Sequence, residues 1–419
     1  MRPPARWRPR PQIATLSDAG FLWGVSTAGH QYEGRNFASQ WAQFEFFGLT
    51  EERSGHAANG MELFEHDLDL ARDMGMRGWR MSIEWSRIEP VRGHKDPAAI
   101  AYYHRVLDAV RERGMVPMVT LIHFSYPHWL DTDLGGWEQH ASVAEFERYA
   151  AWAAREFGSK IDWWLTFNEP NVFVPAAYML GAHGPGLRST AAALKVAANW
   201  IDAHKRAYRA IHANDLRSRV SYNAYAINYR LGKPKKPGKV SLDEDWMSEA
   251  LKADIEAGRG RSLDYVAIDY YCRWSVYPGW KFTSPEEWEI YPEGFYESLR
   301  EYYRAFRMPI MVAENGFATA DLRPRPDGWN RENYIVQHVK QMNRARAEGI
   351  PVLGYFHWSI TDNYEWGTYS PRFGLYSVDC RNRDFRRVPT PAVAVYREIA
   401  TLGLTHALEL RYPDPRISH

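Results

Sequence analysis

Short apolar runs alternate with amphipathic stretches along the chain. The runs begin at Phe21 (FLWGVST), Gly78 (GWRMSIEW), Val116 (VPMVTLIHF), Ile161 (IDWWLTFNE), Arg219 (RVSYNAYAI), Leu263 (LDYVAIDYY), Pro309 (PIMVAENG) and Val352 (VLGYFHWSI). Each is rich in aromatic and β-branched residues, as a buried strand is. Between them lie helical patterns. SVAEFERYAAWAAREFG places Val143, Phe146, Ala150, Ala153 and Phe157 on one face. NRENYIVQHVKQMNRARAEG ends at Gly349, a common helix stop, and TAAALKVAANWIDAHKRAYRAIHAND is a third helix. Continuous apolar strands alternating with helices imply a parallel sheet covered on both faces. Eight such units predict an α/β fold, a single (β/α)8 TIM barrel with long βα loops. That fold typically takes about 250 residues and exceeds 400 with insertions. An open doubly wound sheet is the competing arrangement. It calls for a Gly-rich phosphate loop, and neither G-x-G-x-x-G nor G-x-x-x-x-G-K-[ST] occurs.

In such a barrel the site lies at the C-terminal ends of the strands. The run ends carry His30, Gln31 and Glu33, then Glu84, His123, Asn168 and Glu169. They continue with Asp269 and Tyr271, Glu314 and Asn315, and Trp358. One polar strand end is commonplace, but most of eight converging on one mouth is a site.

Composition narrows the picture. The 419 residues are 45% hydrophobic, enough for a substantial core, and the formal net charge is +1. That balance carries no footprint for nucleic acid or an anionic membrane. No apolar run reaches the length of a transmembrane helix. The basic, Pro-rich start MRPPARWRPRPQ lacks the apolar segment of a secretory signal. Residues 1–16 are expected to be a disordered tail, 17–405 the barrel and 406–419 a C-terminal tail. RLGKPKKPGK (Arg230–Lys239) reads as a long βα insertion. Two cysteines, Cys272 and Cys380, make no disulfide framework and suit the cytoplasm. No zinc-ligand spacing appears around His123 and His128, so neither metal nor cofactor is expected. Aromatics make up 15%, with 18 Trp. They serve a core, and their flat faces also stack on sugars.

Glu169, in LTFNEP, and Glu314, in MVAENG, each end an apolar strand. From strands four and seven of a closed barrel they can face one another. Two carboxyl groups flanking a glycosidic bond are the usual means of glycoside hydrolysis. The nucleophile must be ionised and the acid protonated, and an ionised neighbour keeps the acid protonated.

From about Phe21 to Glu398 the chain resembles the retaining β-glycosidases of glycoside hydrolase family one. FLWGVSTAGHQYEG, TFNEP, AENG, WEIYPEG and GYFHWSITDNYEW…RFGL carry the resemblance, in the family's order. The resemblance implies that Glu169 is the acid/base and Glu314 the nucleophile. Asn168 would bond the sugar 2-hydroxyl, Arg80 would favour the ionised nucleophile, and Tyr271 would orient it. Gln31 and Glu365 would hold sugar hydroxyls, with His123 and Trp366 assisting. Trp358 would be the stacking floor and Trp288 the aglycone wall. Glu33 would support the site without touching substrate.

Three departures matter. Asp269 stands where the family usually has Asn, and could disturb Glu314 or pair with Arg80. The GTYSPRF loop is a residue shorter than in many relatives, so Phe373 is expected to sit differently. Glu365 occupies the position of a Ser in the phospho-sugar branch, and no Lys lies between Trp358 and Phe373. The substrate is therefore expected to be an unphosphorylated oligosaccharide or aryl or alkyl β-glycoside, β-glucoside foremost, with β-galactoside or β-fucoside tolerated. Transglycosylation, a non-catalytic carbohydrate-binding relative and a metal-dependent barrel hydrolase are the alternatives.

Overall fold

The computed structural model describes residues 20–229, 245–274 and 284–417. The expected N-terminal tail and the Arg230–Lys239 insertion lie outside them. Eight strands form the centre: β1 (Leu22–Ser26), β2 (Gly78–Ser82), β3 (Val116–Ile122), β4 (Trp163–Asn168), β5 (Arg219–Tyr225), β6 (Val266–Asp269), β7 (Ile310–Asn315) and β8 (Val352–Trp358). All neighbouring pairs are parallel, and β8 pairs with β1 to close the barrel. Each predicted apolar run supplies one strand.

A long helix follows each strand: α1 (Gly60–Asp73), α2 (Pro97–Glu112), α3 (Ala141–Phe157), α4 (Thr190–Asn214), α5 (Trp246–Glu256), α6 (Pro292–Phe306), α7 (Arg331–Ala347) and α8 (Pro391–Leu402). Their starts show ordinary capping chemistry. Ser189 caps α4 by accepting from Ala192 N, and Asn330 and Asn333 form a reciprocal capping box on α7. The α3 face predicted from periodicity is buried as expected.

Two apolar layers result. The larger lies between the strands and the helices. A smaller one, including Leu22, Met118, Leu165, Ala267, Met311 and Phe356, comes from six strands and fills the barrel interior. A closed parallel barrel filled with side chains has no pore, so chemistry is left to its rim. Past β8 the chain forms an antiparallel hairpin, Tyr376–Asp379 with Asp384–Pro389. The segment expected as a C-terminal tail carries a helix, His406–Arg411, whose Leu408 joins the main core. Among the described residues no helix is long and apolar enough to cross a membrane.

Candidate active site

Irregularities in the strands, beyond the apolar pattern, aim the side chains. The β4–β5 register shifts between Leu165 and Asn168. The shift turns two consecutive residues, Asn168 and Glu169, to the mouth, as a bulge does. Glu169 adopts a left-handed backbone (φ 37°) and its N–H donates to Asn223 O (2.9 Å). Phe124 and Trp366 in the same cavity wall are also left-handed (φ 62° and 45°). Backbone strain of this kind collects at functional sites. A second shift, at Ala313 in β7, sets Glu314 directly opposite Asp269 of β6. Gly316 then lets the chain pass β8, since a Cβ there would lie 2.0 Å from Trp358 O.

Glu169, Asp269 and Glu314 converge, with one oxygen of each within 4.8 Å of the others. All three are buried. Arg80, wholly buried on β2, brings a permanent positive charge to them. Its Nη1 donates to Glu314 Oε1, and its Nη2 donates to Asn168 Oδ1 (2.7 Å) and Asn223 Oδ1 (3.3 Å). Burial pulls the guanidinium's pKa down, but Glu314 and Asp269 more than offset it and the net shift is upward. Tyr271 donates its hydroxyl to Glu314 Oε2 (2.5 Å), so Glu314 is held on both oxygens. Asn223 Nδ2 donates to Asn168 Oδ1 (2.6 Å) and to Asp269 Oδ2. Asn168 Oδ1 is thereby saturated, which leaves its amide N–H groups for a ligand. Burial, then Asp269 and Glu314, push the Glu169 carboxyl well above the usual range. Arg80 is the cation that faces the three acids, and it pairs directly with Glu314.

The cavity beside them contains ten of the eleven residues expected from the sequence. Gln31, His123, Asn168, Glu169, Tyr271, Trp288, Glu314, Trp358, Glu365 and Trp366 all line it, while Arg80 stands behind Glu314. Trp358 ends β8 and donates Nε1 to Glu365 Oε1 (3.2 Å), and Gln31 Nε2 donates to Glu365 Oε2 (3.2 Å). His123 stacks on Trp358 (centroids 5.7 Å, 13°). Burial, then Arg80, push His123 well below its ordinary pKa, so its ring is neutral. Trp366 stacks on His30 (5.8 Å, 6°) and meets Trp41 edge-on (4.8 Å). Trp288 forms the outer wall with Tyr271 and Tyr225 (5.7 and 6.5 Å), and Phe373 packs edge-on to Tyr271 (5.8 Å).

Glu33 does not line the cavity. Tyr103 donates to it (3.0 Å) and Arg87 pairs with it (3.2 Å). Glu84 is likewise held by Ser82, Asn36 and Ser125, and Asn315 by Tyr334 and Tyr355. Asp269 makes no hydrogen bond with Arg80; it meets Asn223 and the two glutamates instead. Sequence reasoning passed over Asn223, Phe124 and His183. Asn223 had one signal, a lone amide within the apolar run YNAY.

A closed parallel barrel with two strand-end glutamates facing one another across an aromatic-walled cavity fits a carbohydrate-processing enzyme. Comparison with known proteins agrees. The glycosyl hydrolase family 1 model matches residues 15–256 and 265–403, and the chain belongs to that family. It is 28% identical to a beta-galactosidase of Pyrococcus woesei, over 93% of this chain and 98% of that protein. It is 31% identical to a galactolipid galactosyltransferase of Arabidopsis thaliana, over 81% of this chain and 57% of that one. A beta-glucosidase from Thermotoga maritima, solved in complex with castanospermine, superposes with TM-score 0.80 at 25% identity, covering 92% of this chain and 98% of that one. The protein is a glycoside hydrolase, a family 1 β-glycosidase.

Proposed function

We propose that the protein is a retaining exo-β-glycosidase acting on unphosphorylated β-D-glycosides, β-glucosides foremost, with β-galactosides and β-fucosides tolerated. The observation that carries this reading is the approach of Glu169 and Glu314 to within 4.8 Å, with Arg80 and Tyr271 both on Glu314. Retention calls for carboxyl groups about 5–5.5 Å apart, and inversion for about 6.5–9.5 Å, with a water between them. Glu314, ion-paired with Arg80, attacks the anomeric carbon. Glu169 gives its proton to the departing oxygen. Once Glu314 is esterified its charge is gone, and Glu169 takes a proton from water as that water displaces the ester. The Asn168 amide faces the sugar 2-hydroxyl, Trp358 forms the floor, and Gln31 and Glu365 grip the remaining hydroxyls.

Charge repulsion by Glu365 is not what keeps a phosphorylated sugar out. Burial pushes Glu365 up to about 8, so at neutral pH it holds a proton and repels little. What disfavours a phosphate is the lack of a cation. No Lys or Arg lines the cavity among the described residues, and burial makes both His123 and His183 neutral. Arg372, the nearest Arg in sequence, is engaged by Asp362 (3.2 Å) and Val378 O (2.5 Å).

The galactosyltransferase relative favours a second reading, in which a sugar or lipid hydroxyl replaces water as acceptor. The buried thiols Cys272 and Cys380 favour a cytoplasmic location.

The test is turnover of aryl β-glucoside, β-galactoside, β-fucoside, β-mannoside and 6-phospho-β-glucoside, with the first-formed anomer read by NMR. A β-anomer from a neutral β-glycoside is expected. Glu169→Ala should lower kcat for a poor leaving group about 10²–10⁴-fold. On an activated aryl β-glycoside, whose leaving group departs without a proton, azide should attack the glycosyl-enzyme in place of water and restore turnover with a β-glycosyl azide as product. An α-anomer as first product would refute retention.

A further inference from the structure

Asp269 is the one member of the acidic cluster to which the mechanism above gives no task. It ends β6, is fully buried, and sits in register with Glu314 because β7 shifts at Ala313. The groups that face it come from every side of the mouth: Arg80 from β2, Glu169 after β4, Asn223 from β5, Tyr271 after β6, and Glu314 from β7. Asn223 donates to Asp269 Oδ2, while Oδ1 is buried and receives no N–H or O–H from the described residues. One oxygen of Asp269 lies within 4.8 Å of one oxygen of Glu169. Two carboxylates possess no donor, so a hydrogen bond between these neighbours requires that one of them carry a proton. Charge points the same way. Three ionised carboxyls would set three negative charges against the single positive charge of Arg80 in a dry site, a costly state.

We propose that Asp269 is a positioning residue that shares a hydrogen-bonded proton with Glu169, keeping Glu169 in its acid form to higher pH than a neutral side chain at position 269 would. The inference rests on the reading of Glu169 as the acid/base. Burial and Glu314 raise Asp269 as well, which matches a shared proton. The proton count closes. In the first step the bond from the anomeric carbon to the leaving oxygen breaks, the bond to Glu314 forms, and Glu169 passes its proton to that oxygen. Glu169 and Asp269 then stand side by side as anions, which makes Glu169 a stronger base. In the second step Glu169 takes a proton from water, water oxygen bonds the anomeric carbon, and the bond to Glu314 breaks. The hydrogen bond to Asp269 is restored.

The experiment is the pH profile of kcat/KM for Asp269→Asn, a near-isosteric change, on an aryl β-glucoside with a poor leaving group. The alkaline limb should move down by about 1 pH unit or more, the size of a neighbouring-charge effect. A merely structural Asp269 would change stability and leave the limb in place. A limb unmoved to within 0.3 of a unit, in an enzyme whose Glu169→Ala variant is rescued by azide, would overturn the proposal and leave the Glu169 assignment standing. A Glu169→Ala variant that keeps full activity without azide would overturn both. The wild-type protein offers a second readout that does not depend on the variant folding. With ¹³C-labelled carboxyls, a shared proton makes one Glu and one Asp signal titrate together in two steps. Independent single-step titrations would overturn the proposal.

Discussion

At the scale of single residues, Glu365 carries a consequence that its proton makes testable. Burial holds its carboxyl up to about 8, with Trp358 and Gln31 each donating to it. A sugar hydroxyl donates best to the ionised form, because charge-assisted hydrogen bonds are roughly twice as strong as neutral ones. Sugar binding therefore favours loss of the proton. Below pH 8 that proton must be released on binding, so affinity rises with pH up to about 8 and is level above it. Inhibition constants for glucose, measured from pH 5 to 9, should show this slope in the wild type and none in Glu365→Gln. The two glutamates were legible because a core strand has no use for a charge, whereas Arg80 came only with the family resemblance. Asn223 was not legible, since one amide in a strand looks like any satisfied polar group until its neighbours are known.

At the scale of elements, the eight strands and the three quoted helices were readable because their periodicity persists over many residues. Their bulges were not. Register depends on the neighbouring strand, so the shift that turns both Asn168 and Glu169 to the mouth leaves no mark in LTFNEP itself. The hairpin of Tyr376–Pro389 was missed for another reason: its strands are short, half-polar and crowded with Arg. Helix ends, by contrast, obey local chemistry. The reciprocal bonds of Asn330 and Asn333 (2.8 and 2.9 Å) fix the start of α7. Asn330→Ala should lower stability by about 1 kcal/mol, measured as a reduced urea midpoint, while kcat on an aryl β-glycoside is unchanged.

At the scale of the whole molecule, the late hairpin is tied to the first long helix. Arg387 pairs with Asp67 (2.7 Å) where both side chains are almost wholly buried, and it also donates to Ala58 O (3.0 Å). Tyr32 donates to the same aspartate (2.5 Å). Removing one partner strands the other charge in the core. Asp67→Ala should therefore cost about 3–5 kcal/mol, read by urea denaturation, and Asp67→Ala/Arg387→Met should recover part of that loss. This tie and the β8–β1 seam share a further property: both join the two ends of the chain. A ribosome adds about 5–20 residues per second, so β1 waits roughly 17–70 s for its partner strand to be made. Throughout that interval its backbone edge is open to any other extended chain, and an unpaired edge is where aggregation starts. Chaperone cover during synthesis should thus raise the yield of soluble enzyme more than any change at the mouth of the barrel.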